Sequence, residues 1–225
     1  MSEEKLAPAA TLHGYDRWAA SYDHIDNPLI AATAWVMDRA PLGCKGLEVV
    51  ELGCGTGRNA PRVLEAGARS YTGVDGSRGM LDVARARIDD PRASWIEIDL
   101  HVAWSPPRTF GFAIVVLVLE HLTELDSLAR SLASSVRSGG RLRIIDLHPE
   151  RIAAGAVAHF QDGETDVTFP SIAHPIETLR EALDRAGFTV EVREWPAEDT
   201  MIADVPRVAK HRGRPLVLDV SATRR

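Results

Sequence analysis

Three glycines at alternate positions constrain this chain more than any other feature. They lie in the segment E-L-G-C-G-T-G at residues 51–57, directly after the short β-branched run LEVVEL and directly before a helix-like stretch. Glycine has no Cβ atom, so it adopts left-handed backbone conformations and lets a ligand approach the main chain closely. A strand, a glycine-rich turn and a helix in this order predict an α/β unit whose turn holds a ligand.

The rest of the chain continues the same alternation. The predicted strands lie at 47–52, 70–74, 94–98, 112–119, 141–147, 188–194 and 215–222. The predicted helices lie at 13–21, 28–39, 58–66, 77–88, 122–136 and 176–186. Strands that alternate with helices at this spacing predict an open, doubly wound, mostly parallel sheet, here of seven strands. Such sheets bind ligands beyond the carboxyl ends of their strands, where we expect the site.

The length of the chain limits the number of domains, and its charge limits the kinds of partner that it can bind. With 225 residues, the chain suits one α/β domain, which we predict at 11–225 after a flexible N-terminus at 1–10. The net charge is −6 and basic residues form no run that would bind a phosphate backbone, so we expect no nucleic-acid partner.

The cysteines and the apolar runs indicate the compartment. Cys44 and Cys54 fit neither a disulfide framework nor a zinc site, and we expect no bound metal. The longest apolar run, 113–119, cannot cross a bilayer, and residues 1–10 lack the apolar core of a signal peptide. We therefore expect a cytoplasmic protein without a membrane partner. A homodimer is compatible with the sequence, which does not determine the oligomeric state.

Acidic residues end three consecutive predicted strands. Glu51 belongs to the glycine turn, Asp75 follows the second strand and Asp99 follows the third. A carboxylate at the end of the second strand can accept hydrogen bonds from both hydroxyls of a ribose. The dinucleotide pattern G-x-G-x-x-G fails, because its third glycine would stand at Arg58. These acids predict a ligand rich in hydroxyl and amino groups, and they argue against a diphosphate.

Four segments resemble the successive motifs of the class I S-adenosylmethionine-dependent methyltransferases. They are VVELGCGTG at 49–57, YTGVDGSRGML at 71–81, IEIDL at 96–100 and LVLEHL at 117–122. The resemblance covers residues 12 to 222 and is strongest up to residue 145. It implies a Rossmann-like sheet whose last strand is antiparallel, S-adenosylmethionine as the cofactor, and methyl transfer as the reaction.

The same resemblance implies roles for individual residues. Glu51 would contact the amino end of the cofactor, Asp75 the ribose hydroxyls and Asp99 the adenine amino group. The other implied contacts are Gly53, Cys54, Gly55 and Gly57 of the turn, Gly76, Ser77 and Met80 around the adenosine, Leu100 beside the adenine ring, and the backbone of Leu117 near the methionine part.

The N-terminal segment YDRWAASYD at 15–23 resembles the lid helix of the small-molecule branch of this family. Residues 11–41 would then form N-terminal lid helices, with Tyr15 and Tyr22 closing over the cofactor. The alternative interpretation is that these tyrosines and Trp18 are core contacts of a packed helix.

Two departures from the family pattern stand out. The fourth strand opens with Phe110-Gly111-Phe112, where the family has an aromatic residue followed by Asp. The segment LVLEHL also lacks the Asn/Asp-Pro-Pro-aromatic signature of enzymes that methylate the exocyclic amines of bases. Its absence agrees with the expectation of no nucleic-acid partner.

Three histidines are candidates for a base on the acceptor side. His121 follows the fourth predicted strand, His148 follows the fifth, and His174 precedes the late helix. Imidazole titrates near physiological pH, so each could accept a proton from an acceptor. His121 also reads as a structural residue or a pocket wall. Residues 148–174, which follow no regular pattern, lie where the family inserts acceptor-binding elements.

The expected function is methyl transfer to O, N or C of a small organic molecule. Three alternatives stay open at this point. One is a protein that binds S-adenosylmethionine without transferring a methyl group, or that uses it in another reaction. Another is a methyltransferase that acts on a peptide or protein. The third, a nicotinamide-dependent oxidoreductase, is disfavoured by Arg58 at the third-glycine position.

Overall fold

The structure is a computed structural model that describes residues 2–24 and 27–225. Its strands are β1 (Ser2–Lys5), β2 (Glu48–Leu52), β3 (Ser70–Asp75), β4 (Ala93–Glu97), β5 (Phe110–Val116), β6 (Val136–Leu147), β7 (His159–Asp162), β8 (Thr165–Thr168), β9 (Phe188–Pro196) and β10 (Pro215–Arg224). Its α-helices are α1 (Thr11–Trp18), α2 (Pro28–Asp38), α3 (Ala60–Glu65), α4 (Arg78–Arg87), α5 (Asp126–Ser135), α6 (Pro149–Ala153), α7 (Ile176–Arg185) and α8 (Asp199–Asp204).

Seven of the strands form one sheet in the order β4-β3-β2-β5-β6-β10-β9. The neighbours from β4 to β6 pair in parallel, and β10 runs antiparallel to both β6 and β9. The predicted fold class, a Rossmann-like doubly wound sheet with an antiparallel last strand, is confirmed. Because β2, β3 and β5 are parallel, their carboxyl ends meet at one edge of the sheet, where a ligand site is expected.

Helices cover both faces of the sheet, which explains why the central strands are almost wholly apolar. On one face, Leu132 of α5 and Leu183 of α7 pack into a core with β5 and β6. On the other face, Val36 of α2, Val63 of α3 and Met201 of α8 pack into a second core. None of the helices in the described part of the chain has the length and hydrophobicity needed to span a membrane.

The fourth predicted strand ends three residues earlier than expected, at Val116 instead of residue 119. Leu117 has a positive φ of 57°, which breaks the strand, and Leu119–His121 forms a short 3-10 helix. The buried Asp146 carboxylate accepts hydrogen bonds from the backbone N–H groups of Val118 (2.8 Å) and Leu119 (2.9 Å). This side chain on β6 therefore holds the turn after β5 in place.

The N-terminal residues and the segment 148–174 are more ordered than their sequences indicate. Strand β1 pairs in parallel with β8, and β8 pairs antiparallel with β7, so the three strands form a small second sheet. Residues 2–5 thus form a strand where we expected a flexible segment, because their backbone groups find partners 163 residues along the chain. Met1, and residues 25 and 26 of the predicted lid region, lie outside the described residues.

Candidate active site

A cavity of about 610 Å³ opens at the carboxyl edge of the large sheet, between the ends of β2, β3 and β5 and the N-terminal helices α1 and α2. Twelve of the fourteen residues predicted to contact the cofactor line it. They are Tyr15, Tyr22, Glu51, Gly53, Cys54, Gly55, Asp75, Gly76, Met80, Asp99, Leu100 and Leu117. Of the candidate bases, His121 lines the same cavity.

The glycine turn needs its glycines for two different reasons. Gly53, Gly55 and Gly57 all have positive φ, at 76°, 53° and 71°. A Cβ atom on Gly53 would lie 2.2 Å from Val118, and one on Gly57 would lie 2.5 Å from Trp95, so both positions also need the space. A Cβ atom on Gly55 would meet nothing within 4 Å. Gly55 therefore presents bare backbone to the cavity.

Asp75 joins the glycine turn to the start of α4. One carboxylate oxygen accepts a hydrogen bond from the backbone N–H of Gly55 (2.7 Å), and the other accepts one from Ser77 (2.9 Å). Burial raises the pKa of Asp75, and the backbone donors of Ser77 and Gly55 oppose that rise. Each carboxylate oxygen has a second lone pair, so Asp75 can still accept hydrogen bonds from a ligand in the cavity.

Glu51 is almost completely buried, with 1% of its surface exposed. Its carboxylate accepts hydrogen bonds from the Asn59 side chain (2.6 Å) and the Tyr71 hydroxyl (2.5 Å). Burial raises the pKa of Glu51 to about 7, although both donors lower it. The sequence did not reveal Asn59 or Tyr71 as partners, because nothing in their spacing relates them to Glu51.

At the opposite end of the cavity, Asp99 is far more exposed, with 45% of its side-chain surface open to solvent. It accepts hydrogen bonds from the backbone N–H of His101 (2.9 Å) and from His101 Nδ1 (2.8 Å). Leu100 and Met80 are buried apolar walls of the same region. This end combines a hydrogen-bond acceptor with apolar surface, which suits the edge and face of a heteroaromatic ring.

The N-terminal helix α1 covers the cavity with Tyr15. The Tyr15 hydroxyl shares a hydrogen bond of 2.7 Å with His121 Nε2, and its ring packs on Phe169 at 4.5 Å between centroids. Burial raises the pKa of Tyr15 and lowers that of His121 to about 4. His121 is therefore a neutral imidazole at pH 7. Tyr15 both lines the cavity and packs against an aromatic core. Trp18 belongs to that core and does not line the cavity.

Gly57 and Ser77, the other two predicted cofactor residues, do not line the cavity. Ser77 is fully buried and caps α4, accepting a hydrogen bond from the Met80 N–H (3.1 Å). Its hydroxyl also donates to Asp16 of α1 (2.7 Å), and Asp16 accepts a second bond from the N–H of Gly79 (2.8 Å). Ser77 thus fixes the lid helix α1 to the start of α4.

His148 and His174 do not line the cavity. The His148 ring is 2% exposed, donates to Glu194 from Nε2 (2.9 Å) and accepts the Glu150 N–H at Nδ1 (3.3 Å). His174 Nε2 donates to the carbonyl of Leu122 (2.8 Å). His148 caps α6 and His174 ties its segment to the turn after β5. Of the three histidines, the structure brings only His121 to the cavity.

Two threonines at the cavity indicate that its ligand carries polar groups. The Oγ1 atoms of Thr11 and Thr56 are buried and have no hydrogen-bond partner among the described residues. Both threonines line the cavity. Buried hydroxyl groups normally have a partner, so a polar ligand would satisfy these two. No group of three or more His, Cys, Asp or Glu within residues 2–24 and 27–225 is arranged to hold a metal ion.

Comparisons with known proteins agree with this geometry. Residues 49–140 match the family model of a methyltransferase domain. A cypemycin N-terminal methyltransferase from Streptomyces is 30% identical over 198 residues, which cover 83% of this chain and 73% of that protein. The chain belongs to the class I S-adenosylmethionine-dependent methyltransferases.

Two further similarities extend over most of this methyltransferase. An uncharacterized methyltransferase from Emericella nidulans is 29% identical, covering 86% of this chain and 83% of its own length. The crystal structure of an S-adenosylmethionine dependent methyltransferase from Mesorhizobium loti superposes with a TM-score of 0.72 at 27% identity, covering 87% of this chain and 100% of that one. The resemblance stated from the motifs is confirmed, and the cofactor is S-adenosylmethionine.

Proposed function

We propose that this methyltransferase transfers the methyl group of S-adenosylmethionine to O, N or C of a small organic acceptor. The observation that carries the proposal is a continuous cavity of about 610 Å³ that joins the strand-end acids to His121 under the lid helix α1. This volume lies in the range of about 300–1,000 Å³ that is usual for sites of small ligands.

The cofactor would lie along the strand ends in the order of the acids. Asp75 would accept hydrogen bonds from the ribose hydroxyls and Asp99 from the adenine amino group, with Leu100 and Met80 against the ring. Glu51 would attract the cationic methionine end, which also lies near the bare backbone of Gly55. The fit is supported by the Thr56 hydroxyl in the glycine turn, which has no hydrogen-bond partner in the part of the chain that the structure describes.

When bound, the sulfonium of the cofactor supplies an electrophilic methyl group. The protein then mainly has to orient the acceptor and exclude water, which can contribute roughly 7–11 kcal/mol to lowering the barrier. Tyr15 and Tyr22 provide the aromatic cover that excludes water on the lid side. These roles need no group beyond those that line the cavity.

His121 is the candidate to receive a proton from the acceptor. Its pKa of about 4 makes it neutral but weakly basic at pH 7. A weak base suits an acceptor that is already nucleophilic before its proton leaves, such as a neutral amine, whereas a hydroxyl that is already ionised needs no base. We therefore expect acceptors of this type in preference to unactivated alcohols.

A second candidate acceptor is the N-terminal amine of a peptide. It is favoured by the similarity to the cypemycin N-terminal methyltransferase over 83% of the chain. A neutral amine also satisfies the requirement set by His121. A peptide differs from a metabolite in needing an open path for the chain that continues from its first residue.

Release of S-adenosylhomocysteine from the purified protein tests the proposal. One arm offers small amines, phenols and carbon acids, and a second arm offers short peptides with free N-termini, with Asp75→Asn as the control whose cofactor binding is weakened. Turnover of a small molecule supports the proposal, and turnover of peptides alone favours the second candidate. Conversion of acceptors without S-adenosylhomocysteine release would contradict both.

A further inference from the structure

Three basic residues lie on chain segments that come together beside the carboxyl end of β6. Arg151 lies on α6, Lys210 lies in the 3-10 helix Pro206–His211, and Arg214 directly precedes β10. A hydrogen bond of 3.0 Å from the His148 N–H to the Leu216 carbonyl joins the two chain segments. Arg151 is three residues from one end of this bond, and Arg214 is two residues from the other.

These cations form no ion pair with an acid among the described residues, not even Arg151 with the adjacent Glu150. Glu194 is bonded to His148, and Asp199 is paired with Arg212, so each of these acids is already engaged. The Nε atom of Arg151 is buried without a hydrogen-bond partner in the described part of the chain. A buried guanidinium donor without a partner is unfavourable unless a ligand supplies an acceptor.

His211 lies beside these basic residues, because the Arg214 N–H donates a hydrogen bond to its carbonyl (2.9 Å) and Lys210 precedes it in the chain. Burial lowers the pKa of His211, and the positive charges of Arg151, Lys210 and Arg214 lower it further. The chain as a whole has a net charge of −6. On this acidic protein, three neighbouring cations without an ion pair in the described part of the chain point to an anionic ligand.

The cluster lies at the same edge of the sheet as the cavity. Because β10 runs antiparallel to β6, its first residues stand beside the carboxyl end of β6, where Val217 pairs with Leu147. Val116 at the end of β5 lines the cavity, and β10 lies two strands away. With neighbouring strands about 4.8 Å apart, the separation along the edge is about 10 Å.

We propose that Arg151, Lys210 and Arg214 form a binding site for a phosphate group carried by an organic molecule. Guanidinium groups match the oxygens of phosphate with paired hydrogen bonds, and a lysine adds a point charge. The further statement that this molecule is the methyl acceptor rests on the proposed function, since β10 lies about 10 Å from the end of β5 that lines the cavity. The phosphate site itself does not depend on methyl transfer.

Phosphorus NMR of inorganic phosphate and of phenyl phosphate, titrated with the intact protein in buffer without other oxyanions, tests the site. We expect the triple variant Arg151→Gln, Lys210→Gln, Arg214→Gln to lose affinity for both probes by about tenfold or more, because it removes charge-assisted hydrogen bonds. The matched control is Lys45→Gln, Arg69→Gln, Arg130→Gln, which makes the same change in net charge at exposed positions elsewhere.

Each outcome decides a part of the proposal. Equal affinity of the triple variant and the unmodified protein would overturn it, as would an equal loss in the control, which would indicate non-specific charge. Binding of inorganic phosphate with exclusion of phenyl phosphate would overturn the organic ligand. Calorimetry with S-adenosylmethionine on the same samples reports folding, and it separates failure of this site from failure of the cofactor assignment.

Discussion

Glu51 is a buried carboxylate whose pKa is raised by burial to about 7, so its charge changes near neutral pH. S-adenosylmethionine carries a net positive charge, so it should bind better when Glu51 is ionised. We predict that the affinity for the cofactor rises by up to about tenfold between pH 6 and pH 8 and then levels off. Isothermal titration calorimetry across this range measures the effect.

The matched control for this prediction is Glu51→Gln. The cofactor's own amino group titrates in the same way with either protein, so only the contribution of Glu51 disappears in the variant. A pH dependence that is unchanged in Glu51→Gln would show that another group is responsible.

At the residue scale, the sequence predicted the acids at the strand ends but not the side chains that hold them. Asp75 and Asp99 follow apolar runs, and that pattern is visible along the chain. Asn59 and Tyr71 contact Glu51 only because α3 and β3 pack around it. Asp146 had a visible signal, since it is an acid near the end of an apolar strand, as Asp75 is. Its role, which is to hold the turn after β5, depends on the backbone N–H groups of that turn and not on the sequence around Asp146.

Within the glycine turn, two neighbouring positions should respond differently to alanine. Gly53→Ala would place Cβ 2.2 Å from Val118 at a φ of 76°, so we predict a loss of about 3 kcal/mol in the free energy of unfolding. Gly55→Ala has only the positive φ to accommodate, and we predict a loss of about 1 kcal/mol. Its new methyl group, however, should weaken cofactor binding.

Urea denaturation and cofactor titration of the two variants distinguish these effects. The account requires Gly53→Ala to be the less stable protein and Gly55→Ala to be folded with reduced affinity. Equal stability of the two variants would contradict the different packing of the two glycines.

The strands of the large sheet and the helices between them were predictable because the spacing of apolar residues along each element indicates a strand or a helix. The strands β2 to β6 and the helices between them lie where the pattern indicated, apart from shifts at their ends. The early end of β5 was not predictable, because Leu117 adopts a positive φ that a leucine rarely takes. Strands β1, β7 and β8 were missed because they are four residues long and each has at most one buried residue, which leaves no apolar alternation to detect.

For the whole molecule, distant parts of the chain meet in the lid. Trp18, Phe160, Val167 and Phe169 form a separate small core, which connects α1 with the segment after β6. Arg17 ties the same parts together by ion pairs with Glu4 (3.0 Å) and Asp162 (2.6 Å). This contact between the N-terminal residues and the segment after β6 could not be predicted from local patterns, since register between distant strands depends on tertiary packing.

We predict that Phe169→Ala destabilises the lid and, through it, the cofactor site. Phe169 is 3% exposed and packs against Tyr15 and Trp18, so its loss should cost about 3 kcal/mol in the free energy of unfolding. Affinity for the cofactor should fall as well, because Tyr15 loses its support. Val157→Ala, at an exposed position nearby in sequence, is the control and should change neither quantity. A destabilised Phe169→Ala protein that binds the cofactor normally would show that the lid core is independent of the site.

The central claim is that the strand-end acids and the glycine turn bind S-adenosylmethionine, with Asp75 on the ribose. Calorimetric titration of the cofactor into Asp75→Asn tests it most directly, with Asp82→Asn on the exposed side of α4 as the control. We predict binding to the unmodified protein and to the control, and a loss of affinity of about tenfold or more in Asp75→Asn. Unchanged affinity in Asp75→Asn would contradict it.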